Sequence, residues 1–118
     1  MLGGTMRQVG VLAAAGIYAL DNNVERLAED HANAQRLAQG LAKLGLEVDP
    51  VQTNMVFVRV PADCGAALAG HLASRGVTAI VHPPKLRLVT HLDVDAAGID
   101  RAVEAFASFF ARAQAAAD

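Results

Sequence analysis

Arg87 is the residue of this chain with the clearest chemical potential. It stands in the middle of Lys85-Leu86-Arg87-Leu88-Val89-Thr90-His91-Leu92-Asp93. There Leu86, Leu88 and Thr90 point one way and Lys85, Arg87, Val89 and His91 the other, which is the period of a strand. A guanidinium flanked by apolar residues must reach water or hold an anion, because burying it unpaired costs too much. Either Arg87 snorkels from an edge strand to solvent, or it clamps an acid group. A second candidate lies at the start, in Gly3-Gly4-Thr5-Met6-Arg7. Thr5 can cap a helix behind it, and free amides at a helix start with Arg7 in the first turn can receive an anion. The same residues also suit a plain flexible turn.

Other chemistries find less support. His31, His71, His82 and His91 are far apart, none at i and i+4 of another, and Cys64 is the single cysteine, so no zinc-ligand spacing exists. There is no Gly-x-Ser-x-Gly elbow, and Ser74 and Ser108 fall inside helical patterns. Cys64 sits in the first turn of an expected helix, where the dipole could lower its pKa. No base or resolving thiol is near it in sequence, and it reads as structural. One cysteine excludes an internal disulfide and is compatible with a reducing cytosol. Lys43 and Lys85 are the only lysines; one sits on an exposed helix end and the other at a strand edge, which leaves a Schiff base without a home.

These residues need elements to place them. The run from Val9 to Leu20 reads as a helix that is apolar on nearly every face, too short to span a bilayer. Such a helix needs neighbours on all sides, so it is expected to be covered by an absent domain or another subunit. Asp21-Asn22-Asn23 breaks the pattern and can cap the next helix. From Val24, apolar residues at Leu27, Ala34, Leu37, Ala38, Leu41 and Leu44 recur every three or four positions, a long amphipathic helix with His31 on its apolar side and Gly45 at its end. Thr53 to Val60 reads as a strand covered on two faces, stopped by Pro61. Ala62 to Arg75 is a helix closed by Gly76, Val77 to Val81 a short strand, His82-Pro83-Pro84 a rigid connection, and Lys85 to Leu92 the strand bearing Arg87, antiparallel to 77–81. Asp93-Val94-Asp95 offers caps for a closing helix with Ile99, Val103, Phe106, Phe109 and Phe110 inward, fraying from Ala111. The fold class is α/β, an α+β small domain in the order helix-helix-strand-helix-strand-strand-helix, with a small, mainly antiparallel sheet packed on helices.

With 118 residues the chain has one domain's worth of material. Its apolar content of 53% with only 4% aromatic residues means a core of Ala, Val and Leu, and the surplus suggests surface meant to be covered. Ten basic against twelve acidic residues leave no electrostatic case for nucleic acid. The first residues lack a signal-peptide plan.

Three strings carry a resemblance: Leu2-Gly3-Gly4-Thr5-Met6-Arg7-Gln8, Gln52-Thr53-Asn54-Met55-Val56-Phe57-Val58 and Leu86-Arg87-Leu88-Val89-Thr90-His91. In this order and spacing the chain, from Met1 to about Ala111, resembles the C-terminal part of low-specificity threonine aldolases. These are pyridoxal-phosphate (PLP) enzymes of the aspartate-aminotransferase-like fold. The resemblance implies a division into residues 1–23, a Gly-rich lead-in and apolar interdomain helix, and residues 24–118, the small domain. It implies that Arg87 binds the substrate carboxylate and that Arg7, Gly3 and Gly4 lie at the cofactor, with Thr5 where the family usually has a third Gly. It also implies that the cofactor lysine would precede Met1, so that PLP is not held covalently by this chain and no catalytic residue is assigned in it.

The implied parent cleaves threonine or allo-threonine to glycine and acetaldehyde. It would be a cytoplasmic homo-oligomer whose large PLP-binding domain is missing here, and the fragment alone would be inactive. Two other readings stand beside this one. The chain could be a non-catalytic α/β module, stable alone or as a homodimer through its first helix, or part of another PLP lyase or decarboxylase. The Met-Arg-Gln and Leu-Val-Thr-His strings favour the aldolase.

Overall fold

The computed structural model describes residues 6–115, apart from the side chains of residues 113 and 114. Among these residues the order is α1 (Gly10–Asn23), α2 (Leu27–Lys43), β1 (Met55–Arg59), α3 (Gly65–Ser74), β2 (Lys85–Val89) and α4 (Ala96–Ala115). The α/β class and the small antiparallel sheet are as expected from the sequence. The cap expected of Thr5 falls outside the described residues.

α2 and α4 form because their apolar residues recur at helical spacing and meet. Ala34, Leu37, Ala38 and Leu41 of α2 are buried with Ile99, Ala105 and Phe106 of α4 in one core with Val56, Val58, Val60 and Leu86 of the sheet side and Leu68 and Leu72 of α3. The approach is close at Gly40, where a Cβ would stand 2.5 Å from Val103 Cγ2. Arg36 donates from Nε and Nη2 to the two carboxylate oxygens of Asp100, at 2.7 and 2.6 Å, across the same pair of helices. α2 closes on Gly45 at φ 80° and α3 on Gly76 at φ 72°, both left-handed and both as expected for glycine after a helix. At the start of α4 the Gly98 amide donates to Asp95 Oδ1 at 2.7 Å, so Asp95 is the cap.

β1 and β2 pair antiparallel with Phe57 opposite Arg87. On the other side of β1, Val48 bridges to Val58, with the Asp49 amide donating to Phe57 O and the Arg59 amide to Glu47 O, both at 2.9 Å. β1 is therefore central between residues 47–49 and β2. Only one sheet face is covered. Val56, Val58, Leu86 and Thr90 are buried, whereas Met55, Arg59, Lys85, Arg87 and Val89 are exposed, which corrects the expectation of a strand covered on two faces.

Four further expectations differ from the structure. Residues 77–81 are in no ladder, although burial alternates along them with Val77, Ala79 and Val81 turned to the core; β2 takes β1, not 77–81, as its neighbour. Asp21-Asn22-Asn23 does not interrupt the first helix, because Asn22 Nδ2 donates back to Tyr18 O at 2.8 Å and the backbone stays helical at Val24. His31, Val24 and Leu27 are exposed, so the buried face of α2 begins only at Asp30. α4 runs to Ala115 instead of fraying from Ala111.

α1 has no buried residue. Leu12, Ile17, Tyr18 and Leu20, the last 70% accessible, lie open to solvent, and the molecule is 62 Å long against 27 and 26 Å across. An apolar helix this bare is surface of the kind that other chains or domains cover. Among the described residues no helix is long and apolar enough to cross a membrane.

Candidate functional site

A groove of about 750 Å³ opens along the outer side of β2, between residues 76–80, the turn after β2 and the first turns of α4. Its floor is apolar, with Leu88, Ile99 and Phe106, and Arg87, Lys85, His91 and Arg101 stand around it. An apolar floor under a few convergent charges suits a small organic anion.

Arg87 is presented by the ladder itself. Because Leu86 and Leu88 face the core, position 87 must face outward, and it shares the open face with Lys85, Phe57 and Arg59. The neighbouring cations are neutralised. Lys85 Nζ lies 2.6 Å from Asp49 Oδ2 and 5.0 Å from the Phe57 ring centre, while Arg59 is paired with Glu47 and lies 3.7 Å from Asp49. The hydrogen bond from Lys85 holds the Asp49 carboxyl below the usual carboxylate range, aided by the charges of Lys85 and Arg59 and opposed by desolvation. Arg87 has no ion-pair partner among the described residues. Its guanidinium therefore remains open to solvent and free to meet an acid group.

The far end of β2 is fixed by a polar network. Thr90, 1% accessible, donates from Oγ1 to Asp30 O at 2.7 Å, and its own carbonyl accepts from Asn54 Nδ2 at 2.8 Å. The Asp30 carboxylate, 3% accessible, accepts from Arg26 Nη1 at 3.2 Å and Nη2 at 2.8 Å. Asn33 Nδ2 donates to Val94 O at 3.1 Å, which ties α2 to the turn at the groove's end. The register of Arg87 is thus pinned three residues away by bonds that reach the α1–α2 elbow. Thr90 and Asn54 belong to the strings that carry the resemblance, but Arg26 and Asp30 gave no signal beyond helical spacing.

The other expected site residues are not gathered here. Arg7 is exposed before α1 and does not line the groove; Gly3 and Gly4 lie outside the described residues. Arg101 was not anticipated, since a polar helical position carries no mark of the groove it borders. Cys64 is half-buried, and burial, then the charge of Asp63, pushes its thiol up, opposite to the lowering a helix dipole alone would give. His71 is structural, with Nε2 2.9 Å from Ser108 Oγ and 3.1 Å from Ala105 O.

Known proteins are similar to this chain in sequence and fold. Residues 1–63 match the family model described as beta-eliminating lyase. The low-specificity L-threonine aldolase of Escherichia coli K12 is 49% identical over 112 residues, 95% of this chain and 33% of that protein. Low-specificity L-threonine aldolase 1 of Arabidopsis thaliana is 34% identical over 114 residues, covering 89% of this chain and 31% of its own length. A crystal structure from Burkholderia pseudomallei K96243, named for an inferred aminotransferase role, superposes with a TM-score of 0.62 at 26% identity over 77% of this chain and 29% of that one. The chain spans about a third of the length of the curated relatives it matches, and the family and fold they share are in general PLP-dependent. With more than half of its residues inside one family model, from the Gly-rich lead-in through β1, the chain belongs to the beta-eliminating lyase family.

Proposed function

We propose that this chain is the small-domain portion, residues 24–118, with the preceding interdomain segment, residues 1–23, of a cytoplasmic, homo-oligomeric lyase similar to low-specificity threonine aldolase. In full length that enzyme would cleave threonine or allo-threonine to glycine and acetaldehyde. The observation that carries the reading is the state of Arg87: on an open sheet face where Lys85 and Arg59 are paired with acids, it alone of the three has no carboxylate partner. Its fork matches a carboxylate with two parallel hydrogen bonds, which fixes the amino acid's orientation as well as its affinity.

The described residues do not fit PLP as a covalently held group. Lys43 is exposed in the last turn of α2, and Lys85 is bound to Asp49 with its ammonium over Phe57. The cofactor is assigned to the large domain that this chain would meet, and Arg7, Gly3 and Gly4 are the residues of this chain proposed to contribute to its binding. What this chain would contribute is substrate binding and orientation, and a wall that keeps water from the acid group.

A chimera tests this. The corresponding third of the Escherichia coli K12 relative is replaced by this chain, and threonine cleavage is followed. Arg87→Ala should lower kcat/KM by roughly 2–5 kcal/mol of transition-state stabilisation, the range for truncating one partner of a buried hydrogen-bonded charge pair. Arg87→Lys should recover little, because an ammonium cannot make the bidentate pair. Full activity in either variant would refute the assignment, as would borohydride trapping of PLP on Lys43 or Lys85 of the isolated chain in stoichiometric yield.

A further inference from the structure

The outer edge of β2 is open, and the segment that fits it hangs beside it. The Thr90 amide donates to Asn54 O and the Val60 amide to Pro84 O, so the pairs 54/90, 56/88, 58/86 and 60/84 are the hydrogen-bonded ones in this ladder. The backbone N–H and C=O of Lys85, Arg87 and Val89 consequently point away from β1, toward the groove. Across that groove run residues 77–81, already alternating like a strand, with Val77, Ala79 and Val81 packed on the core and Thr78 and Ile80 exposed. Among the described residues, the backbones of Thr78, Ile80 and His82 make no hydrogen bond.

We propose that residues 77–82 form a strap that docks on the free edge of β2 in one register, with Thr78 opposite Val89, Ile80 opposite Arg87 and His82 opposite Lys85. Parity and the length of the connection together select it. Facing requires 77, 79 and 81 to stand beside core-facing residues of β2, and the same parity brings the groups of 78, 80 and 82 to those of 89, 87 and 85. Registers slipped by two residues share that parity, and among them only this one leaves Pro83-Pro84 as a two-residue connection. A slip of one residue would carry Ile80 to the core face and Ala79 out of it. Docking makes β2 an internal strand, covers the apolar floor at Ile99 and Phe106, and removes an exposed edge of the kind that recruits other chains. It also sets Ile80 beside the Arg87 guanidinium on the outer face of the sheet, closing the space beneath while leaving Arg87 on the open face. The inference does not depend on what Arg87 binds.

The test uses the 118-residue chain. In a Cys64→Ala background, Thr78→Cys with Val89→Cys should close an intramolecular disulfide under mild oxidation at least about tenfold faster than the slipped pair Ile80→Cys with Val89→Cys, since only the first brings the Cα atoms within bonding reach. Equal rates, or cross-links between chains only, would overturn the register. Amide hydrogen exchange on the unmodified chain gives the second measurement. Arg87 and Val89 should exchange within about tenfold of Leu86 and Leu88; exchange faster than that shows the edge staying open and ends the proposal.

Discussion

Replacing Gly40 by Ala probes how firmly α2 and α4 are locked, and thereby how firmly the groove's helical wall is held to the sheet. In a solvated helix this change would stabilise by about 1 kcal/mol, the difference in helix propensity. Here the new Cβ would lie 2.5 Å from one methyl of Val103 and 2.9 Å from the other, more than about 0.5 Å inside the optimal carbon contact. Val103 cannot turn aside, because a valine in a helix is held to one rotamer. The helices must part, at a cost of about 1–3 kcal/mol for overpacking. The net expectation is a loss of roughly 1 kcal/mol, or about 4 °C in Tm for a chain of this size. Urea titration followed by circular dichroism, with the slope checked for constancy, would measure it. The decisive comparison is a double-mutant cycle: in a Val103→Ala background, Gly40→Ala should become neutral or stabilising, giving a coupling of about 1 kcal/mol or more. Stabilisation of the wild-type chain by Gly40→Ala, or additivity of the two changes, would refute the close-packed interface.

Thr90→Val keeps the shape of a buried side chain but removes the hydroxyl that donates to Asp30 O; a loss of about 1 kcal/mol is expected, together with faster amide exchange at Leu88. Asp49 yields a pH effect whose sign is fixed. Its native pKa lies below the ordinary value, so its contribution is full above the usual carboxylate range and is lost as pH falls through the lowered native pKa. The difference in denaturation midpoint between the wild type and Asp49→Asn should accordingly shrink over that acidic window. A difference that grows on acidification would contradict the Asp49–Lys85 contact.

The parts of the fold legible from sequence are those that depend on local period. Ala34, Leu37, Ala38 and Leu41 declare the inner face of α2, and Ile99, Val103 and Phe106 that of α4, because helical spacing alone decides who faces inward. Arg87 was legible for the same reason, as the outward residue between two inward leucines. What escaped was set by partners far along the chain. The alternation at 77–81 is real, yet a strand also needs backbone hydrogen bonds to a neighbour, and these residues stand across the groove from the open edge of β2. Glu47–Asp49 joins the sheet through two backbone bonds that no local pattern announces. Asp21-Asn22-Asn23 looked like a stop because its side chains can bond their own backbone, but Asn22 does so in a way compatible with the helix. His31 followed the apolar count of its neighbours, whereas the body of the molecule begins only at Asp30.

The elbow at Val24–Arg26 has a mechanical meaning. α1 has 14 residues, so at 1.5 Å per residue it is an arm about 21 Å long, and a swing of roughly 10° at its base would carry the tip nearly 4 Å. The base is clamped by the two-pronged Arg26–Asp30 contact, whose carbonyl end reaches Thr90. Asp30 thus joins the base of that arm, through its carboxylate, to the end of the strand carrying Arg87, through its carbonyl.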